Sequence, residues 1–170
     1  DFYEQKILKG YEKKTDGRLV SYILGKENLE QCHQIARWAK EQGLAYKELY
    51  WTGWEIPSLN EHLNGFFHIS VPEWLNAIRN AEYVLTNSFH CAVFAILFRK
   101  KFMVLNNPSG GLDRILTLLG LLRLKQRYLS DLIQSDRLLE RLENPIDYER
   151  VQKDLEACRK DSLAFLVNIR

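Results

Sequence analysis

"YVLTNSFHCAVFAILFRKKFMVL", Tyr83 to Leu105, is the stretch whose reading decides the fold. An apolar run stops at Thr86-Asn87-Ser88, a histidine follows, and a second apolar run begins. "AEYVLT" reads as a buried strand, about Phe89 to Phe98 as a helix, and "FMVL" as another strand, with Lys100-Lys101 making the turn. Two strands about twenty residues apart with a helix between them form a right-handed βαβ crossover. The sheet is therefore expected to be parallel and covered on both faces.

The same alternation extends upstream. "LVSYIL", Leu19 to Leu24, suits a buried strand, and Glu27 to about Gln42 shows helical spacing stopped by Gly43. "YKELYW", Tyr46 to Trp51, is a second strand candidate and "FFHIS", Phe66 to Ser70, a short third. Ser70 and Glu73 have capping-box spacing, and Pro72 is tolerated in a first helical turn. Downstream, "NNPSGG" reads as a loop and "LDRILTLLGLLRL" as a helix broken near Gly120. Tyr148 to Ile169 reads as an amphipathic helix laying Val151, Leu155, Leu163 and Leu166 on the body. The fold class is α/β, a Rossmann-like parallel sheet. Residues 1–17 are a lead-in helix or linker, and residues 18–170 one lobe ending in a long helix over about 147–169.

Bulk properties narrow the function. With 24 Lys+Arg against 22 Asp+Glu, the net charge of +2 gives no electrostatic reason to expect nucleic acid. No apolar run reaches the ~18 residues of a spanning helix, so no stable membrane insertion is expected. No signal peptide is visible. Cys32, Cys91 and Cys158 are odd in number and far apart, which fits a reducing, cytoplasmic setting better than a disulfide framework. No metal is expected: Cys32-His33 is a weak ligand pair, and no other cysteine pair has metal-ligand spacing.

In a doubly wound sheet, ligands sit beyond the carboxyl ends of the strands. Asn87-Ser88-Phe89-His90 falls there, at a helix start whose unpaired N–H groups and dipole favour an anion. The bland alternative is that Asn87 or Ser88 caps the helix and His90 is a satisfied half-buried side chain. Arg114, after the loop holding Ser109 and Gly110, suits a forked contact with phosphate or carboxylate; it would also suit a surface salt bridge to Asp113. Tyr50, Trp51, Trp54 and Glu55 could stack on and bind a sugar, or be ordinary core and rim residues. His62 and His68 are read as structural or exposed.

"VPEWLNAIRNAEYVLTNSFHCAVFAILFRKKFMVL" resembles the most characteristic segment of the polysaccharide pyruvyl transferase family. The resemblance is carried by Glu73-Trp74, Ala81-Glu82-Tyr83-Val84, Thr86-Asn87-Ser88-Phe89-His90 and Lys100-Lys101-Phe102. It extends over roughly residues 18–168 and covers only the family's carboxy-terminal lobe. It implies one lobe of a GT-B-like two-lobe enzyme, whose missing amino-terminal lobe is a partner needed for activity. The implied reaction moves a pyruvyl group from phosphoenolpyruvate to two hydroxyls of a sugar, as in exopolysaccharide biosynthesis, with no cofactor. His90 is then the catalytic candidate, with Asn87, Ser88, Phe89, Ser109, Gly110 and Arg114 as substrate-binding candidates. Alternatives are a lobe binding a nucleotide-sugar, as in GT-B glycosyltransferases, or a non-catalytic binding domain of the same fold. Many members have glycine after the histidine. Cys91 stands there, and is expected to be harmless if it points into the core.

Overall fold

The computed structural model describes residues 2–25, 28–49, 69–107, 110–130 and 137–167. The strands are β1 (Leu19–Tyr22), β2 (Tyr46–Leu49), β3 (Tyr83–Thr86), β4 (Lys101–Leu105) and β5 (Tyr128–Leu129). The helices are α1 (Leu29–Glu41), α2 (Val71–Asn80), α3 (Phe89–Leu97), α4 (Leu112–Leu121), α5 (Leu138–Glu143) and α6 (Tyr148–Val167). All strand pairings are parallel, in the order β2-β1-β3-β4-β5. The chain therefore changes direction across the sheet between β1 and β3, which is the switch point of this topology.

Strand alternation sends side chains to two apolar layers. Val20, Val84, Phe102 and Val104 meet α2, α3, α4 and the start of α6. Leu19, Tyr83, Leu85 and Met103 meet α1 and α5. Both faces are covered, which is why β3 and β4 read as continuous apolar runs.

Local signals explain most boundaries. Gly43 (φ 67°) follows α1 as the left-handed stop. At α2, the Ser70 side chain accepts from the Glu73 amide and the Glu73 carboxylate accepts from the Ser70 amide, forming the expected capping box. The turn before β4 is made by Arg99 in the left-handed region (φ 55°), and Lys101 already belongs to the strand. Gly120 lies inside α4, and Arg123 (φ 54°) reverses the chain after it. Ile69 and Ser70 are not in a strand; the remainder of the expected third strand lies outside the described residues.

Two elements were not anticipated, β5 and α5. They are joined by a reciprocal clasp. The buried Arg127 guanidinium donates to the carbonyls of Arg141 and Asn144, and Arg141 donates to those of Gln126 and Tyr128. The expectation for α6 is corrected at its far end. Val151 is buried and Leu155 packs on the body, but Leu163 and Leu166 are 52% and 63% exposed. Twenty residues make a helix about 30 Å long, and beyond its first three turns its residues 159–167 are all exposed. Upstream of β1, a π-helical turn at Tyr3–Ile7 sets Tyr3 against Phe94 and buries Leu8. The Arg79 guanidinium and the Asn80 amide hold the following segment through the carbonyls of Tyr11 and Glu12.

Candidate functional site

The carboxyl ends of β1 and β3 meet at the switch point, and side chains from the β3–α3 loop knit them together. Thr86 Oγ1 donates to the Tyr22 carbonyl at 2.6 Å and accepts from the Ser88 amide at 3.0 Å. Asn87 is 2% exposed, and its amide is wholly engaged with one residue of the β1 loop. Its Oδ1 accepts from the Leu24 N–H at 2.7 Å and its Nδ2 donates to the Leu24 carbonyl at 2.8 Å. Asn28 donates to that same carbonyl at 2.6 Å. Of the two tasks open to Asn87, holding a ligand or holding the loop, the structure shows the second.

Ser88 is also buried and occupies the N-cap position of α3, yet its side chain makes no capping hydrogen bond. The first amides of α3 therefore lack both an intrahelical acceptor and a side-chain cap. His90, in that first turn, is exposed. Its ring stands edge-on to Phe89, with centroids 5.8 Å apart and planes at 81°.

Cys91 turns the other way. It is fully buried among the core residues behind α3, and burial pushes its thiol up to about 12. A thiol so protonated is neither nucleophile nor obstruction at the helix start.

Arg114 comes from the first turn of α4, beside α3. Its guanidinium carbon lies 5.5 Å from the Phe89 ring centroid, over the ring. Arg114 is exposed and forms no ion pair among the described residues, Asp113 included. Two glycines precede α4. Gly110 (φ 108°) donates its amide to the Asn107 carbonyl at 3.2 Å, and Gly111 (φ 81°) is the N-cap. Ser109 lies outside the described residues, as do Tyr50, Trp51, Trp54, Glu55, His62 and His68.

Phe89, His90 and Arg114 are thus brought together on one edge of the sheet, with Asn87 and Ser88 buried beneath them as support. Tyr22, the last residue of β1, lies at the carboxyl end of a strand beside the switch point, and packs on the core. Its ring is half-buried against Trp74 at 5.3 Å, and burial pushes its phenol up to about 12.

A cavity of about 270 Å³ lies elsewhere, toward the amino end of β1, lined by Asp16, Arg18, Lys47 and Glu73 among others. Arg18 is paired with Asp16 and Glu73 is engaged in the α2 capping box, so its charges are largely committed to the fold. No group of three or more His, Cys, Asp or Glu residues suited to a metal ion occurs among the described residues. No helix among them is long and apolar enough to cross a membrane.

The arrangement offers an uncapped helix start, an exposed imidazole and an exposed guanidinium, a set of donors suited to a small polyanion. Comparison with known proteins gives one family match. The model described as "Polysaccharide pyruvyl transferase" matches residues 11–109. The matched span contains the whole β3–α3 turn and stops short of Arg114, whose place in the site rests on geometry. No curated protein matches the chain.

Proposed function

The chain belongs to the polysaccharide pyruvyl transferase family, and from that premise we propose that its carboxyl-edge cluster holds phosphoenolpyruvate during pyruvyl transfer to a sugar. The observation that carries this reading is the exposed His90 at the uncapped start of α3, within the family-matched span. The donor has a phosphate and a carboxylate, and such groups are favoured where helix amides point outward.

The chemistry needs a proton at C3 of the enol. Protonation leaves C2 cation-like, and one sugar hydroxyl attacks it, losing its proton. The C2–O bond to phosphate then breaks, and inorganic phosphate departs with the bonding pair. A second hydroxyl attacks C2, loses its proton and closes the cyclic ketal. Of the two hydroxyl protons released, one balances the proton added to C3 and the other leaves with phosphate or solvent. In this scheme His90 donates to the departing phosphate or serves as the general acid, and the amides of Phe89 and His90 hold the anion. Arg114 takes the second anionic group, and Ser109 and Gly110 are further candidates for binding the donor. Asn87 and Ser88 keep the loop in shape. A second lobe supplies the remainder of the cleft and the sugar site, so turnover requires more than this chain.

Donor screening tests the proposal. Phosphoenolpyruvate should bind the chain and perturb His90, and His90→Ala should abolish ketal formation in the two-lobed enzyme. Binding of a nucleoside diphosphate sugar in its place, with no response to phosphoenolpyruvate, would assign the site to a glycosyl donor.

A further inference from the structure

The Phe89 ring lies against both exposed candidates of the site. His90 meets its edge, and the Arg114 guanidinium lies over it. Arg114 has no acid partner among the described residues to hold it there. Arg114 Nη2 also lies close to Gly111, 3.3 Å from where a Cβ would stand, and the φ of 81° at that residue is one that glycine adopts readily.

We propose that Phe89 is a positioning residue, whose ring holds the Arg114 guanidinium beside the start of α3 before any anion arrives. This rests on the reading of that edge as the donor site. An arginine loose in water loses many rotamers when it captures an anion. One already laid on an aromatic face loses fewer, and the planar guanidinium stacks where an ammonium cannot. The family-matched turn and the separate α4 loop are thereby coupled through a single ring.

Inorganic phosphate, titrated into the isotope-labelled chain, tests this with the Arg114 side-chain resonances as an independent readout. The unliganded protein should show Arg114 side-chain protons shifted upfield by the ring. Phe89→Leu should remove that shift and weaken phosphate binding roughly two- to five-fold, the range of an exposed cation–π contact. Phe89→Tyr should restore both, and Phe89→Leu should add nothing in an Arg114→Ala background. If Arg114→Ala weakens phosphate binding while Phe89→Leu does not, the positioning role falls and the anion site stands. If Phe89→Leu weakens binding equally with and without Arg114, the ring acts on the loop and the proposal also falls. Phosphate that perturbs neither His90 nor Arg114 at millimolar concentration overturns the donor-site reading and this inference with it.

Discussion

Helices α2 and α3 both begin on a serine, and the two serines do opposite things. Ser70 closes a full capping box with Glu73, whose carboxyl is held below its ordinary range by the Ser70 hydroxyl and amide. Ser88 is turned into the protein and caps nothing. The same contrast extends to the charged groups at the two edges of the sheet. At the amino edge, Lys101 lies between Glu82 and Glu143 at 2.7 and 2.8 Å, and the Lys100 ammonium donates to the Ala81 carbonyl. At the carboxyl edge, among the described residues, His90 and Arg114 share only the Phe89 ring. Groups that stabilise the fold are paired within it. Groups left exposed beside an uncapped helix start are available to something outside it.

The strongest way to break the contrast is to remove His90. In the two-lobed enzyme, His90→Ala should lower kcat by at least about 100-fold, the usual scale of a lost general acid, in an assay of phosphate release from phosphoenolpyruvate with a sugar acceptor. Unfolding stability should change by less than about 0.5 kcal/mol, since the ring is exposed and makes no hydrogen bond among the described residues. A large stability loss would move His90 to the structural side of the comparison.

Asn87 should behave in the reverse sense. Asn87→Ala strips two hydrogen bonds from Leu24 and leaves its N–H without a partner, while its carbonyl still accepts from Asn28, which should cost about 2 kcal/mol in urea unfolding. Next come the serines themselves. Ser70→Ala should cost about 1 kcal/mol, as lost N-caps do, whereas Ser88→Ala should cost less than half of that. Equal costs would show that Ser88 caps α3 after all.

The smallest effect is electrostatic. Hydrogen bonds from Lys101 and then Tyr83 hold the Glu143 carboxyl below its ordinary value of 4.5. A depressed folded value means that the ionised carboxyl contributes stability above pH 4.5. That contribution fades as pH falls through the lower folded value. Glu143→Gln should flatten stability against pH in that acidic window, modestly because the side chain is 45% exposed and salt screens the pair.

How much of this was legible beforehand follows from the range of each interaction. Buried parallel strands announce themselves as unbroken apolar runs, so β1, β3 and β4 were readable, as was the Ser70-Glu73 box, which is local. The two-residue β5 and the six-residue α5 carry too few residues to show a period. The roles of Arg127 and Arg141 left no mark in the sequence because their partners are backbone carbonyls, which no side-chain pattern records. Asn87 was ambiguous for the same reason: its partner, Leu24, is 63 residues away and offers only main-chain atoms. Leu163 and Leu166 had the right spacing for a packed helix face, but periodicity does not say where the body beneath a helix ends.

Amide chemical shifts during a phosphoenolpyruvate titration of the chain test the central claim most directly, because α2 serves as an internal control. Saturable changes at Phe89, His90 and Cys91 and at the His90 ring, with the Val71–Glu73 amides at the start of α2 unmoved, are the predicted result. Changes at α2, changes nowhere, or changes at α3 with a nucleoside diphosphate sugar but not with phosphoenolpyruvate would contradict it.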